Sequence, residues 1–324
     1  MHRSLLLICG IILAGPTLAR PVCAAGTFSF TFENDIAFGT DREYSNGGLF
    51  TYTADVGQAP GFLRRFAIED LGAEAFQLRY GVGQRMYTPI NKTATEPLFD
   101  ERPYVGLLFG QIDLNFEKGT TVHRLSALLG VFGPAALAGR TQNFFHRLAN
   151  TERVEGWANQ IRNEPALNLN YDVTRPVRLA GETALDLDAE PFIGLAFGNV
   201  STGVRAGFVL RFGPYLDGQP TAVSVRSRLE PPRLFRPSDS LRWHVHAGFV
   251  GEAEAYSSTV DGNLFRSSQS APDKTLQWES RAGVMASIGR YWLGLSTTIQ
   301  SRQHQLQDKA THKLGEVRLG ISLF

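Results

Sequence analysis

The strongest constraint on the fold of this chain is an alternation of apolar and polar residues that recurs along most of its length. The alternation is cleanest in residues 111–117, where Ile112, Leu114 and Phe116 are separated by single polar residues. Alternating segments of about ten residues are typical of transmembrane β-barrels, whose strands direct apolar side chains toward lipid and polar side chains toward the interior. About twelve to fourteen such segments occur, and bacterial barrels have even strand numbers. We therefore predict an all-β fold, a transmembrane antiparallel β-barrel of about twelve strands.

The N-terminal residues predict export from the cytoplasm. His2 and Arg3 precede an apolar run at residues 5–14, and small residues follow that run. This arrangement is typical of a secretory signal peptide, which we assign to residues 1–25. The barrel domain then comprises residues 26–324.

Composition narrows the location and the partners of the mature chain. After the signal peptide no run of about 18 apolar residues occurs, which excludes a helical membrane span. Cys9 and Cys23 are the only cysteines and fall in the signal peptide, so the mature chain lacks a disulfide framework. A formal net charge of only +1 argues against nucleic-acid binding, which requires a basic patch. Together with the alternating strands and the signal peptide, these features predict that the mature chain is located in the outer membrane of a Gram-negative bacterium.

The unusual polar segments all lie in loops that are predicted to face the same end of the barrel. If the mature N-terminus faces the periplasm, the loops after odd-numbered strands point outward and those after even-numbered strands point inward. The motif-bearing segments all follow odd-numbered strands, at residues 34–45, 87–102 and 133–163. Residues 117–120 and 173–176 form short inward turns, whereas the inward segment 57–74 is unusually long. The site residues are therefore expected to meet at the outer rim, where lipopolysaccharide resides.

A candidate general base lies in the third outward loop. His146 belongs to residues 141–149, whose apolar residues have helical spacing and predict a short helix. Asn150 would cap this helix at its C-terminus and let the chain turn back, which brings Glu152 beside the imidazole. A histidine with a paired acid can act as a general base. The alternatives are a packed surface histidine and a solvated loop acid.

The first outward loop offers oxygen ligands. Asn34 and Asp35 are followed by Asp41, Glu43 and Ser45. Calcium prefers several oxygen ligands, so this loop is a candidate cation site. The alternatives are a turn in which Asn34 and Asp35 satisfy backbone groups and in which the Ser45 hydroxyl forms a hydrogen bond.

Two cations occur in the second outward loop, Lys92 and Arg102. At the outer face of the membrane they could hold lipid phosphates through charge-assisted hydrogen bonds. The alternative is that both are solvated cations of the rim.

Six sequence motifs resemble the outer-membrane lipid A 3′-O-deacylase family. They are Phe-Glu-Asn-Asp at 32–35, Glu-Tyr-Ser-Asn-Gly at 43–47, the segment 84–89, Arg-Pro-Tyr at 102–104, the segment 142–147 and Gly-Trp-Ala-Asn-Gln at 156–160. The resemblance extends over about residues 28–171 and then fades into generic barrel strands. It implies a twelve-stranded barrel with a calcium-dependent site between the barrel wall and a loop helix.

The resemblance also implies roles for individual residues. The implied catalytic residues are Asn34, Ser45, His146 and Glu152, the implied calcium ligands are Asn34 and Asp35, and the implied substrate contacts are Lys92 and Arg102. Ser45 stands where the family pattern has threonine, a change that keeps the hydroxyl. In the implied mechanism His146 takes a proton from water, Glu152 orients the imidazole, and calcium stabilises the oxyanion. Lys92 would hold a glucosamine phosphate.

The implied activity is calcium-dependent ester hydrolysis that removes the 3′-acyloxyacyl chain of lipid A in the outer leaflet. Two other functions stay open. A non-enzymatic porin-like or structural barrel would also have polar interior residues such as Arg79 and Asp113, and an outer-membrane phospholipase would share the chemistry. The coincidence of a histidine, an acid and an oxygen cluster on outward loops favours an enzyme, because a pore does not need them.

Overall fold

The structure is a computed structural model that describes residues 26–35, 38, 43–54, 58–181, 185–219, 236 and 238–323. The predicted signal peptide and the candidate ligand Asp41 lie outside the described residues. In these ranges no helix has the length and apolar character needed to cross a membrane.

Thirteen strands make up most of the described chain. They are β1 (Gly26–Asn34), β2 (Glu43–Ala54), β3 (Ala75–Thr88), β4 (Val105–Lys118), β5 (Thr121–Phe132), β6 (Glu164–Thr174), β7 (Val177–Ala180), β8 (Asp186–Gly198), β9 (Ser201–Gly213), β10 (Ser238–Ser257), β11 (Leu276–Gly289), β12 (Tyr291–Ser301) and β13 (Thr311–Leu323). The described residues also form the α-helices α1 (Gly61–Arg65), α2 (Ala138–Leu148) and α3 (Ser258–Asp261). The predicted all-β fold with a short loop helix is confirmed.

The strands form one closed antiparallel sheet. Consecutive strands pair except β6 and β7, β1 pairs with β13 from Gly26↔Leu323 to Asn34↔Gly315, and β6 pairs directly with β8. Among the described residues, the four-residue strand β7 pairs only with β8. Twelve strands therefore close the barrel and β7 is a short addition to it, which confirms the predicted strand number.

The alternation along each strand gives the wall two chemically different faces. On β1, the ring of Phe30 stacks on Phe50 of β2 at a centroid distance of 4.4 Å and on Phe32 at 6.4 Å. Thr31 and Glu33, between and after them, are buried. Successive side chains of a strand point to opposite faces, so the phenylalanines face lipid and the polar residues face the interior.

Ion pairs occupy the interior of the barrel. Asp172 lies between two arginines, with its carboxylate 2.8 Å from Arg124 and 2.6 Å from Arg205. Arg79 and Asp113 form another buried pair at 2.7 Å. Buried charges require partners of this kind because isolated charges are costly to remove from water.

The unusually long inward segment is helical. Helix α1 continues directly into a π-helical turn at Phe66–Asp70. Ala67 of this turn is fully buried and belongs to one apolar cluster with Leu78, Leu114 and Phe116. Leu78 and Leu114 alternate with charged residues of the interior, so the cluster lies on the outside of the wall. The segment is long because it covers apolar wall surface in addition to connecting β2 with β3.

Candidate active site at the outer rim

The loop after β5 carries helix α2, whose first turn lies against the outside of the barrel wall. Gly106 of β4 is in phase with Ile112 and Leu114 on the lipid-facing side. A Cβ atom at Gly106 would lie 2.6 Å from the Cβ of Ala138, the first residue of the helix. Glycine at this position is what permits such a close approach. The N-terminal end of α2 is thereby held against the wall.

A second set of contacts holds α2 through the segment that follows it. The indole Nε1 of Trp157 donates a 2.8 Å hydrogen bond to Oε1 of Gln142, and the Trp157 ring packs on Tyr104 at a centroid distance of 5.1 Å. The side-chain amide of Asn143 makes hydrogen bonds of 2.9 and 3.1 Å with the backbone of Val154. These contacts fix the returning segment against the helix, and the sequence motifs had given no role to the residues that make them.

Helix α2 ends in a left-handed cap at Asn150. Asn150 has a φ of 53°, and its N–H donates to the carbonyl oxygen of Arg147 at 3.3 Å. The N–H of Thr151 donates to the carbonyl oxygen of His146 at 2.9 Å. This is the Schellman pattern, in which a left-handed residue reverses the chain and satisfies the last helical carbonyls. The structure agrees with the predicted cap, and the reversal brings Glu152 beside His146.

The contact between His146 and Glu152 uses a different atom from the predicted one. Nδ1 of His146 lies 2.5 Å from the backbone carbonyl oxygen of Glu152, whereas the prediction paired the imidazole with the carboxylate. A carbonyl oxygen only accepts hydrogen bonds, so Nδ1 carries the hydrogen and Nε2 of the neutral ring carries the lone pair. The imidazole contacts the backbone because the reversal of the chain at Asn150 directs the Glu152 carbonyl group toward the ring. The Glu152 side chain is exposed.

His146 lines a small cavity between α2 and the outside of the barrel wall. The cavity is about 100 Å³ in volume, and its lining includes Asn34, Asn46 and Gln142. Asn34 and Asn46 are cross-strand partners on β1 and β2. They share the outward face with Phe32, which lies two residues before Asn34. The structure therefore brings together two of the predicted catalytic residues, His146 and Asn34, on the lipid-facing side of the wall.

Asp35 faces the barrel interior, whereas Ser45 contacts the neighbouring strand β3. Asp35 is fully buried, with Oδ2 3.9 Å from Nε2 of His312 on β13. Ser45 is also fully buried, and its Oγ lies 2.6 Å from Oγ1 of Thr88. Ser45 occupies a bulge where the register between β2 and β3 shifts. Neither residue lines the cavity beside His146, so the structure does not assemble all the predicted site residues in one place.

The candidate calcium ligands do not converge. Asn34 borders the outward cavity, whereas Asp35 contacts the interior. In the part of the chain that the structure describes, no group of three or more His, Cys, Asp or Glu side chains could hold a metal ion. The cavity lining does include the amides of Asn34 and Asn46 and the hydroxyl of Thr151, which are hard oxygen donors. The donor chemistry suits calcium, but the side chains of Asn34 and Asp35 do not fit a shared site.

Arg102 is completely buried, which corrects its prediction as a rim cation that holds phosphate. Its Nη1 donates to Oε2 of Glu43 at 3.0 Å, and its Nη2 donates to the carbonyl oxygen of Thr259 at 2.6 Å. Nε2 of His304 lies 3.1 Å from the same Glu43 carboxylate. Arg102 thus links segments that are distant in the sequence. A buried guanidinium paired in this way is not presented to lipid phosphates.

Arg102→Ala should therefore destabilise the protein instead of weakening substrate binding. The substitution leaves the buried Glu43 carboxylate without its guanidinium partner, which costs about 3 kcal/mol. The measurement is the temperature at which the folded, fast-migrating form disappears on gels, with the exposed Arg266→Ala as the matched control. An unfolding temperature equal to that of the wild type, together with a raised KM, would restore the predicted substrate contact.

Lys92 lies at the edge of the site. Its carbonyl oxygen accepts a 2.9 Å hydrogen bond from the N–H of Glu155, so the second outward loop contacts the segment after α2. The Lys92 side chain is half-buried and does not line the cavity beside His146. Its role in holding a phosphate stays a prediction.

Comparison with known proteins identifies the family of the chain and agrees with its fold. Residues 5–323 match the family described as outer membrane protein LpxR. The structure of LpxR from Salmonella typhimurium has a TM-score of 0.75 and 18% identity, over 91% of this chain and 99% of that chain. The beta domain of the Bordetella autotransporter Brka has a TM-score of 0.42 and 12% identity, over 93% and 99% of the two chains. No curated protein matches this chain.

The family match covers nearly the whole sequence, whereas the motifs that indicated a resemblance extend only to about the middle of the chain. The twelve closing strands and the similarity to the Salmonella typhimurium structure agree with it. The chain therefore belongs to the family of outer membrane protein LpxR and is a β-barrel of the Gram-negative outer membrane.

Proposed function

We propose that the protein is a lipid A 3′-O-deacylase, which hydrolyses the ester that holds the 3′-acyloxyacyl chain in the outer leaflet. The observation that carries this proposal is the position of His146. Its imidazole is oriented through Nδ1 and borders a cavity on the lipid-facing side of the wall. The ester of a membrane lipid can reach a base in this position without leaving the leaflet. Membership of an outer membrane protein family supports the proposal.

The proton chemistry follows from the tautomer of His146. Nε2 of the neutral imidazole accepts a proton from water, and the water oxygen attacks the ester carbonyl carbon. The carbonyl oxygen of Glu152 accepts the Nδ1 hydrogen and so stabilises the imidazolium that forms. Collapse of the tetrahedral intermediate releases the 3′ oxygen of the sugar, which takes the proton from Nε2. The products are the free acyloxyacyl acid and lipid A with a 3′ hydroxyl.

Asn34 is the second residue that the cavity offers to this reaction. Its side-chain amide shares the lining with His146. An amide N–H that donates to the developing oxyanion stabilises the tetrahedral intermediate, and loss of one such donor costs ~10²-fold or more in rate. Ser45 is given no part in this mechanism, because it does not line the cavity and its hydroxyl contacts Thr88.

Calcium dependence belongs to the proposal and is tested by metal removal. The oxygen donors beside His146 suit a hard cation better than a soft one. We expect a calcium chelator to abolish deacylation by the purified protein and an excess of calcium to restore it. Full activity in excess chelator would remove the metal from the proposal and would leave the role of His146 to be judged separately.

Mass spectrometry of lipids from cells that express the protein tests the proposed function. We expect lipid A to lose the mass of the 3′-acyloxyacyl group and the phospholipids to stay intact, compared with cells that carry an empty vector. Lysophospholipids beside unchanged lipid A would support an outer-membrane phospholipase instead. A correctly inserted protein that changes neither lipid class would contradict both hydrolases.

A further inference from the structure

His146 lies between two openings of different chemical character. The cavity toward the barrel wall includes the apolar side chains of Phe32, Met86 and Phe145 in its lining. A larger cleft of about 700 Å³ is lined by other residues of α2 and by the segment that follows the helix. His146 and Thr151 line both. An ester at His146 would therefore have apolar surface on one side and a polar cleft on the other.

Three arginines line this polar cleft. Arg140 and Arg147 are seven residues apart on α2, which places them about two turns apart on one face of the helix. Arg153 approaches from the segment that folds back after the helix. All three side chains are exposed, so their guanidinium groups are accessible to a bound molecule.

Carboxylates do not neutralise the positive charge of the cleft. Glu155 is the acid among the described lining residues, and its Oε1 lies 3.8 Å from Nε of Arg153. An exposed pair at this distance contributes little stability. Within the described residues, neither Arg140 nor Arg147 forms an ion pair with a carboxylate. Three arginines against one glutamate leave the lining with an excess of two positive charges.

We propose that this cleft binds an anionic headgroup of the lipid substrate, a phosphomonoester on the sugar, while the ester lies at His146. The proposal rests on the function proposed above and deepens it. Guanidinium groups present paired N–H donors that match phosphate oxygens bidentately. The two openings would orient an amphiphile, with the acyl chain toward the wall and the phosphate toward the arginines. Arg140, Arg147 and Arg153 thus take the phosphate-binding role that the sequence suggested for Arg102.

Lipid binding by a protein that cannot turn over its substrate tests this proposal separately from catalysis. In a His146→Ala background, the Kd of lipid A is compared with that of dephosphorylated lipid A in the same detergent micelles. We expect phosphorylated lipid A to bind about tenfold more tightly, which corresponds to modest contributions from several exposed charges. The combined Arg140→Gln, Arg147→Gln and Arg153→Gln variant should lose this preference. Arg266→Gln, an exposed arginine outside the cleft, is the matched control and should keep it.

Equal affinity for the two lipids in the parent protein would overturn the proposal, and so would a preference that survives the triple substitution. If the triple variant fails to insert, the three single variants are measured, and each should narrow the preference. Inorganic phosphate titrated alone distinguishes the source of the anion. Binding of free phosphate without any preference between the lipids would assign the cleft to soluble anions and reject the headgroup. Failure of the deacylase function would appear differently, as intact lipid A despite an arginine-dependent binding preference.

Discussion

Replacing His146 with alanine should lower the rate of lipid A deacylation by ~10²-fold or more, the loss expected when a positioned proton acceptor is removed. The substitution deletes Nε2, the atom that accepts the proton from water. The barrel should insert normally, because His146 belongs to helix α2 and not to a wall strand. The rate is measured from the mass of the lipid A product, and insertion is checked from heat-modifiable migration on gels.

His123→Ala is the matched control for this experiment. His123 lies on β5, where its Nδ1 is 2.7 Å from the hydroxyl of Tyr171, and it lines neither opening beside α2. The His123→Ala substitution should leave the deacylation rate unchanged. Glu152→Gln keeps the backbone carbonyl that orients the imidazole, so it should retain most of the activity. A correctly inserted His146→Ala protein that works at the wild-type rate would reject the base assignment.

Trp157→Ala should abolish most of the activity, because Trp157 anchors helix α2 in addition to lining the cleft beside His146. The indole links Gln142 of α2 with Tyr104, and truncation of a buried tryptophan costs about 3–5 kcal/mol. This cost falls on the docking of α2 and not on the closed sheet. Deacylation should therefore drop sharply, while the unfolding temperature of the barrel stays close to that of the wild type. Protease cleavage between β5 and β6 should become faster.

Two further variants separate this docking role from a general loss of aromatic surface. Trp157→Phe keeps the ring against Tyr104 but loses the hydrogen bond to Gln142, so it should recover part of the activity. Trp278→Ala removes a half-exposed tryptophan of β11 that stacks on Phe249, far from α2 in the sheet order, and should leave the rate unchanged. Wild-type activity and wild-type protease resistance in Trp157→Ala would contradict the anchoring role.

The barrel could be predicted from the sequence because its main signal is local. Side chains along a strand point alternately to the two faces of the wall. Because one face meets lipid and the other contains paired charges, apolar and polar residues alternate along each strand. The helical segment at Gly61–Asp70 cannot be predicted in the same way, because its apolar partners, such as Leu78 and Leu114, belong to strands outside the segment. The short strand β7 is defined by its pairing with β8 alone, which the pattern along a single strand does not reveal.

In the candidate site, too, local features could be predicted from the sequence and long-range contacts could not. The cap at Asn150 and the return of the chain to His146 are set within six residues, so the sequence indicated them correctly. Asn34 and Asp35 were grouped by their chemistry, although alternation along β1 already places neighbouring residues on opposite faces of the wall. The partner of Arg102 could not be predicted, because Glu43 is 59 residues away and no periodic pattern connects the two.

The proposed reaction transfers the oxygen of water to the acyl product, and isotope labelling measures this directly. Purified protein is incubated with lipid A in water labelled with heavy oxygen, and both products are analysed by mass spectrometry. We expect one labelled oxygen in the carboxylate of the released acid and none in the 3′ hydroxyl of lipid A, because water attacks the carbonyl carbon. Label in the 3′ hydroxyl, or no release of the 3′ chain by the inserted wild-type protein, would contradict ester hydrolysis at this site.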